Sequence, residues 1–327
     1  MRAVLCKEFG PPEKLVVEEV PSPAAGKGEV RIDVHAAAVN FPDLLIIQNK
    51  YQFKPPLPFS PGGEVAGVVR EVGAGVTAIK PGDRVLATTM WGGFAEEVAV
   101  DESRVAPIPD AMDFATAAAF FMAYGTSHHA LVDRAHLKAG ETLVVLGAAG
   151  GVGLAAVEIG KVLGARVIAC ASADDKLEVC KEHGADEVIN YAREDLKERM
   201  KELTRGSGAD VVYDPVGGQL SEAALRSTAW EGRFLVVGFA GGDIPRIPLN
   251  LVLLKGCQIV GVFWGSFIAR EPEKNRANLA ELVRWFEEKK IRPHISETFP
   301  LERAADALNA MAARKVKGKV VLVTGKS

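Results

Sequence analysis

Residues 142–163 constrain the fold of this chain more than any other stretch. An apolar run, Thr142–Leu146, leads into Gly147-Ala148-Ala149-Gly150-Gly151-Val152-Gly153. Beyond it Val152, Ala155, Ala156, Ile159, Val162 and Leu163 recur at helical spacing, and Gly164 stands where a helix would stop. A buried strand, a glycine turn and an apolar helix therefore follow in order. Glycines allow a tight turn and let backbone N–H groups approach a diphosphate, which then sits at the positive end of the helix. The spacing is G-x-x-G-x-x-G rather than G-x-G-x-x-G, although Gly151 lies beside Gly150. A glycine run alone also serves as an ordinary strand–helix turn; here its setting is the one dinucleotide binding requires. Ala149, Gly150, Gly151, Val152 and Gly153 are the expected cradle.

The next apolar run, Arg166–Cys170, decides which dinucleotide is expected. An NAD site places an acid roughly 20 residues beyond the glycines, against the ribose diol. Here Ala171 and Ser172 follow the strand, with no Asp or Glu at its end. Ser172 can donate to a 2′-phosphate and Lys176 can pair with it, so the expected cofactor is NADP(H). Asp174 and Asp175 lie between them and read as helix-capping charges.

Further apolar runs follow at Glu187–Asn190, Asp210–Tyr213, Phe234–Phe239 and Gln258–Phe263, with helical segments such as Arg193–Leu203 between them. Leu251–Val262 reads as a turn followed by a buried strand. Most runs are continuously apolar, as strands buried on both faces are. The repetition implies an α/β fold, a Rossmann-type doubly wound parallel sheet with helices on both faces. Phe239, Phe263, Trp264 and Gly265 follow or close the last two strands. Such sheets hold ligands at their carboxyl ends, so these residues are expected to line a nicotinamide pocket.

Residues 1–124 differ in texture. They are dense in Gly and Pro and carry short alternating runs such as Glu29–His35, Gly67–Val72 and Asp83–Ala87, which implies a mostly β domain. The α/β domain is expected over 125–265. Residues 266–327 read helix, strand, helix, strand (Asn278–Glu287, Pro293–Phe299, Leu301–Ala313, Lys319–Val323), too short for a domain and expected to pack on the first.

A chain of 327 residues buries large cores without disulfide staples. Its four cysteines are scattered, which fits a reduced, cytoplasmic setting. A net charge of −3 makes no case for nucleic acid or a membrane surface. Neither a leader peptide nor a bilayer-spanning run is read.

Four motifs now stand together: Pro61-Gly62-Gly63-Glu64-Val65-Ala66-Gly67-Val68-Val69, Pro81-Gly82-Asp83-Arg84-Val85, Ala149–Gly153, and Tyr213-Asp214-Pro215-Val216-Gly217-Gly218. As a set they resemble the medium-chain dehydrogenase/reductase superfamily and, within it, the quinone oxidoreductase (zeta-crystallin-like) branch, over essentially the whole chain. The resemblance implies a GroES-like catalytic domain, a Rossmann domain inserted after it and a C-terminal return, with a cleft between the domains. It also implies a homodimer built partly by pairing Rossmann-sheet edges, with Gln258–Phe263 as the candidate edge. Zinc members need a Cys in the segment equivalent to Ala36–Asn40 and a His in Gly-His-Glu. This chain has Ala-Ala-Ala-Val-Asn and Gly62-Gly63-Glu64, and lacks the four-cysteine lobe. An open zinc site needs three protein ligands, and Glu64 alone remains, so no metal is expected and Glu64 reads as structural.

Without a Lewis acid, oxidising a simple alcohol is disfavoured, whereas an electron-poor carbonyl needs only hydrogen-bond polarisation. The expected activity is NADPH-dependent reduction of a small electron-poor carbonyl compound, a quinone first. The alternatives are reduction of the C=C bond of an enone, alkenal or enoyl thioester, and a non-catalytic, crystallin-like role. Asn40 and Asp43 match the branch's N-x-x-D pattern; Asn40 would donate to the nicotinamide ribose or the substrate oxygen, with Asp43 holding it. The same residues also read as an Asn-x-Pro-Asp turn. Tyr51 stands where the branch has a substrate-facing tyrosine, while Leu45 replaces a second one. Thr126, Tyr191 and Arg314 match positions near the cofactor. His128 and His129 read as structural helix residues, and His183 and His294 as surface or loop.

Overall fold

Alternation of apolar and polar side chains turns the first part of the chain into strands with one face inward. The computed structural model describes residues 1–326. The chain divides into two units, Met1–Met122 together with Pro293 onward, and Ala123–Arg292.

The first unit opens with β1 (Arg2–Leu5), β2 (Val16–Glu19), β3 (Glu29–Val39), α1 (Phe41–Ile46), β4 (Glu64–Val72), β5 (Arg84–Thr88), β6 (Glu97–Asp101) and β7 (Val105–Pro107), then α2 (Phe114–Ala118). The chain enters the second unit within α3 (Phe121–His128). There it continues through β8 (Thr142–Leu146), α4 (Gly151–Val162), β9 (Arg166–Ala171), α5 (Asp174–Glu182), β10 (Glu187–Asn190), α6 (Leu196–Leu203), β11 (Ala209–Asp214), α7 (Gln219–Arg226), β12 (Thr228–Val236), α8 (Asn250–Lys255), β13 (Gln258–Gly261), α9 (Trp264–Arg270) and α10 (Pro272–Glu287). It returns to the first unit with β14 (Ile295–Pro300), α11 (Ala304–Ala312) and β15 (Lys319–Val323).

In the first unit the strand order is β14-β15-β3-β4-β5-β7, with β6 also on β3, and β1 and β2 form a separate ribbon. β15 and β4 flank β3 and both run antiparallel to it: Ala37 pairs with Leu322 on one side and Val65 on the other. The first residues of β4 and β15 therefore lie beside the last of β3. Ile32, Val34, Phe94, Val320 and Leu322 belong to the core beneath.

In the second unit six parallel strands take the order β10-β9-β8-β11-β12-β13. This is the doubly wound arrangement, whose switch point lies between β8 and β11. Residues 266–292, expected with the C-terminal return, belong to this unit: α10 is tied back by Glu281 to His128 and by Asn278 to Asp133. α10 starts earlier than expected because Pro272 opens it, and α6 starts later because Asp195 caps it through the N–H of Glu198.

Two strand expectations change. β12 ends at Val236 and β13 at Gly261, which leaves Phe239 in a loop and puts Phe263 at the start of α9. β13 is mostly exposed, not buried; it is the outermost strand, so only one side pairs. Leu251 lies in a helix rather than a turn. His183 lies in the turn that ends α5, but buried and bonded to Glu158 at 2.7 Å rather than on the surface. Among the described residues no helix is long and apolar enough to cross a membrane.

Candidate functional site

Each unit builds one cluster of interest. In the second unit β8 ends at Leu146 and the backbone turns through Gly147 at φ +56°, a left-handed conformation that glycine adopts freely. The N–H of Gly150 closes the turn on the carbonyl of Gly147 at 3.0 Å. Gly150 is the N-cap of α4, with no side chain to satisfy the helix. The first amides, of Gly151, Val152 and Gly153, have no acceptor within the helix. They form a positively polarised end on a twelve-residue helix, a site suited to an anion. Gly153 packs so closely that a Cβ there would stand 2.4 Å from the Gly147 oxygen and 2.8 Å from backbone atoms of Ala148. Ser127, which sequence reasoning missed, donates to the Val152 carbonyl at 2.8 Å and lies 2.9 Å from the Tyr213 hydroxyl. Its neighbour Thr126 is half-buried.

Ser172 is exposed just beyond β9, and Lys176 is half-buried in the first turn of α5. Tyr191 follows β10 directly and its N–H reaches the Ala171 carbonyl at 3.1 Å. Ala173 holds the N-cap position without a side-chain bond, and Asp174 and Asp175 lie in the first turn of α5, where the helix N-terminus favours their charge. Asp174 also accepts from Asn190 Nδ2 at 2.7 Å and pairs with Arg193, so its charge is offset. Phe239 and Phe263 are partly exposed, and Gly265 is exposed. Trp264 departs from expectation: it is buried, and its ring covers Gly125, where a Cβ would come within 2.8 Å of it.

In the first unit, β3 delivers Asn40 to the N-cap of α1, with Pro42 in the first turn. The N–H of Asn40 donates to Asp43 Oδ2 at 2.7 Å, and the N–H of Gly62 to Asp43 Oδ1 at 3.2 Å. Glu64, the first residue of β4, accepts from the Met122 N–H at 2.7 Å. Lys319, the first residue of β15, places Nζ 2.5 Å from Asn40 Oδ1 and 3.5 Å from Glu64 Oε2. Asn40 Nδ2 reaches Glu64 Oε2 at 3.3 Å and the Ala38 carbonyl at 3.4 Å. Asn40, Asp43, Glu64 and Lys319 are all buried. The Asn40 carboxamide thus makes its contacts within this cluster, Oδ1 to Lys319 and Nδ2 to Glu64 and Ala38. Lys319 carried no signal in the sequence, because 279 residues separate it from Asn40. Tyr51 is half-buried on the core beside Phe53, ring centres 5.9 Å apart. Arg314 is exposed just past α11 at φ +56°.

Burial pushes the Asp43 carboxyl up to about 7, against the pull of the Asn40 and Gly62 N–H groups and Lys319. Burial likewise raises Glu64, opposed by Lys319, Met122 and Asn40. Burial, then the Asp43 charge, raises the Tyr51 phenol and keeps it a proton donor. An unfolded Asp titrates near pH ~3.9, so between there and about 7 the folded state holds a proton the unfolded state has lost. The stability Asp43 contributes is full below that range and is lost as pH rises through it. Unfolding free energies of the parent and of Asp43→Asn, from urea titrations at pH 5 and pH 8, should show the parent gaining on the order of 2–3 kcal/mol relative to the variant at pH 5 over pH 8. A gap independent of pH contradicts this ionisation.

Comparison with known proteins identifies the family. Residues 26–110 match the alcohol dehydrogenase GroES-like domain and residues 151–287 the zinc-binding dehydrogenase domain. Quinone oxidoreductase-like protein 2 homolog of Nematostella vectensis is 42% identical, over 99% of this chain and 89% of that protein. The chain belongs to the medium-chain dehydrogenase/reductase superfamily, in its quinone oxidoreductase branch. Two solved members share its fold. Escherichia coli quinone oxidoreductase complexed with NADPH superimposes with a TM-score of 0.93 at 30% identity, over 99% of this chain and 100% of that one. A probable oxidoreductase of Mycobacterium abscessus gives a TM-score of 0.90 at 41% identity, over 99% and 98%.

The zinc of the family description does not fit this chain's residues. Beside Glu64 stand a carboxamide and an ammonium, and an ammonium neither ligates nor tolerates a dication at that range. Among the described residues no three His, Cys, Asp or Glu side chains come together as a metal site.

Proposed function

We propose that this reductase passes a hydride from NADPH to small electron-poor carbonyl compounds, quinones first, without a metal. The observation that carries the reading is the glycine-capped amide end of α4, set beside a β9 that ends at Ala171 and is followed by Ser172 and, in the first turn of α5, Lys176, where an NAD site has an acid. NADPH supplies the hydride when bound. The amides of Gly151, Val152 and Gly153, on the cradle Ala149–Gly153, hold its diphosphate. Ser172, Lys176 and Tyr191 take the 2′-phosphate, with Asp174 neutralised by Arg193. Asn40 Nδ2 and the Tyr51 hydroxyl donate to the substrate oxygen, and Asp43 fixes the turn that carries Asn40. Phe239, Phe263 and Gly265 serve the nicotinamide; Thr126 and Arg314 contact the cofactor. The names of the related quinone oxidoreductases and the NADPH bound by the E. coli protein support this reading.

The experiment is NADPH consumption against quinones, alkenals and enoyl thioesters, with NADH in parallel. Quinones should turn over fastest, and NADPH should be preferred. Lys176→Ala should raise KM for NADPH about tenfold, the loss of one charged hydrogen bond, and leave NADH unchanged. Faster turnover with NADH, or with enoyl thioesters alone, contradicts the assignment.

We further infer a homodimer paired through the β13 edges. Its support is the exposed edge itself and the apolar side chains near it in sequence: Trp230, Leu253 and Leu254 are each at least 70% exposed. Light scattering should give twice the 34.8 kDa chain mass; a monomer at micromolar concentration rules it out. All four cysteines are buried free thiols, Cys180 pushed up to about 12 by burial, which supports a reducing, cytoplasmic setting.

A further inference from the structure

We propose that Lys319 is a positioning residue for the reduction: its buried ammonium grips the Asn40 carboxamide by the oxygen, so that the NH₂ end, which makes only long contacts to Glu64 and the Ala38 carbonyl, is the end that turns to meet a substrate oxygen. The inference rests on the function proposed above and deepens it. The substrate class it implies is one whose oxygen gains negative charge, as a carbonyl does.

The placement of Lys319 is strongly determined. It opens β15, whose next residue, Val320, pairs with Val39, the neighbour of Asn40. The Lys319 N–H bonds the His294 carbonyl at 2.8 Å. Gly318 turns at φ +66°, where a Cβ would stand 2.1 Å from that carbonyl oxygen. The approach of the chain to Lys319 thus leaves no room for another residue before it. The rest of β15, Val-Val-Leu-Val, forms the strand without help from a charge.

The bonds of Asn40 are unequal. Lys319 meets Oδ1 at 2.5 Å, whereas the two contacts of Nδ2 are 3.3 and 3.4 Å. Ordinary N–H···O bonds cluster near ~2.9–3.0 Å, so the NH₂ end is the loosely held one. A cation on the carboxamide oxygen also polarises the amide and strengthens its N–H groups as donors. When a quinone accepts a hydride, the displaced electron pair comes to rest on oxygen; one solvent proton completes the hydroquinone and NADP⁺ remains. A preorganised donor aimed at that oxygen lowers the barrier. Burying an ammonium beside two carboxylates is costly, and apolar residues of similar volume are often as stable, so stability alone gives weak reason for Lys319.

The competing account makes Lys319 a mere counter-ion of Glu64. The double variant Lys319→Met with Glu64→Gln separates the two, because it removes both charges together. Lys319→Arg, which keeps a cationic donor, is the conservative control. Turnover of 1,4-benzoquinone, the Kd for NADPH by fluorescence and Tm are measured for each. The double variant should keep NADPH Kd within about twofold, with Tm little changed, yet lose kcat about 10- to 100-fold, somewhat less than direct loss of an oxyanion donor. Lys319→Arg should recover most of the kcat. Full kcat in the double variant overturns the proposal. Absence of turnover in the parent protein with every acceptor defeats the function above instead. Should the variants fail to fold, a structure of the parent with NADPH and a quinone analogue decides: Asn40 Nδ2 still bonded only to Glu64 and Ala38 overturns the proposal.

Discussion

Gly153→Ala is expected to weaken NADPH binding at least ~100-fold and to lower Tm, whereas Gly150→Ala leaves the fold intact. The two glycines lie three residues apart but meet different surroundings. At Gly153 a methyl would press on the Gly147 oxygen at 2.4 Å and on Ala148 at 2.8 Å. Those atoms are backbone, in the turn that joins β8 to α4, and relieve the overlap only if helix and strand separate. Overpacking of this kind costs about 1–3 kcal/mol, and the shift displaces the three amides that would hold a diphosphate. At Gly150 the nearest atom to a new Cβ is the Gly147 oxygen at 3.4 Å, and φ is −80°. Alanine fits there without strain, so any effect is confined to the ligand's approach. NADPH Kd and Tm on the two variants check this; unchanged Kd in Gly153→Ala contradicts the anion site.

The second large effect falls on Asn40. Asn40→Ala should lower kcat by about 10²–10³, the range for removing one donor to a developing oxyanion. It should also destabilise the first unit by about 1–3 kcal/mol, because the Lys319 ammonium loses its nearest acceptor while buried. Asn40→Asp separates the two consequences. An aspartate keeps an acceptor for Lys319 but offers the substrate no N–H, so kcat should stay low, while its second oxygen, 3.3 Å from Glu64 Oε2 with no donor between them, lets stability return only in part. Recovery of kcat in Asn40→Asp would remove the carboxamide donor from the mechanism.

These two residues also mark what was legible in the sequence. The glycine turn is local: strand, turn and helix lie within about twenty residues, and the physics of an anion at a helix end is fixed by their order. The parallel sheet was legible for the same reason, since strands such as β8 and β10 are bounded by their own glycines and apolar runs. The buried cluster was only half legible. Asn40 and Asp43 are three residues apart and signal a turn, but Glu64 and Lys319 join them only because β4 and β15 both run antiparallel to β3. Nothing in the composition of Gly318-Lys319-Val320 marks the lysine as buried. An apolar run alone also cannot tell a central strand from an edge, which is why β13 reads as buried and lies exposed. Trp264 follows that strand, and its place over Gly125 depends on a contact 139 residues back along the chain.

The most direct test of the whole account is the rate of NADPH oxidation by 1,4-benzoquinone after exhaustive chelation. The protein should turn over at its full rate, with no stoichiometric metal by elemental analysis and no gain on adding zinc. Activity that vanishes on chelation and returns with one equivalent of zinc would contradict it.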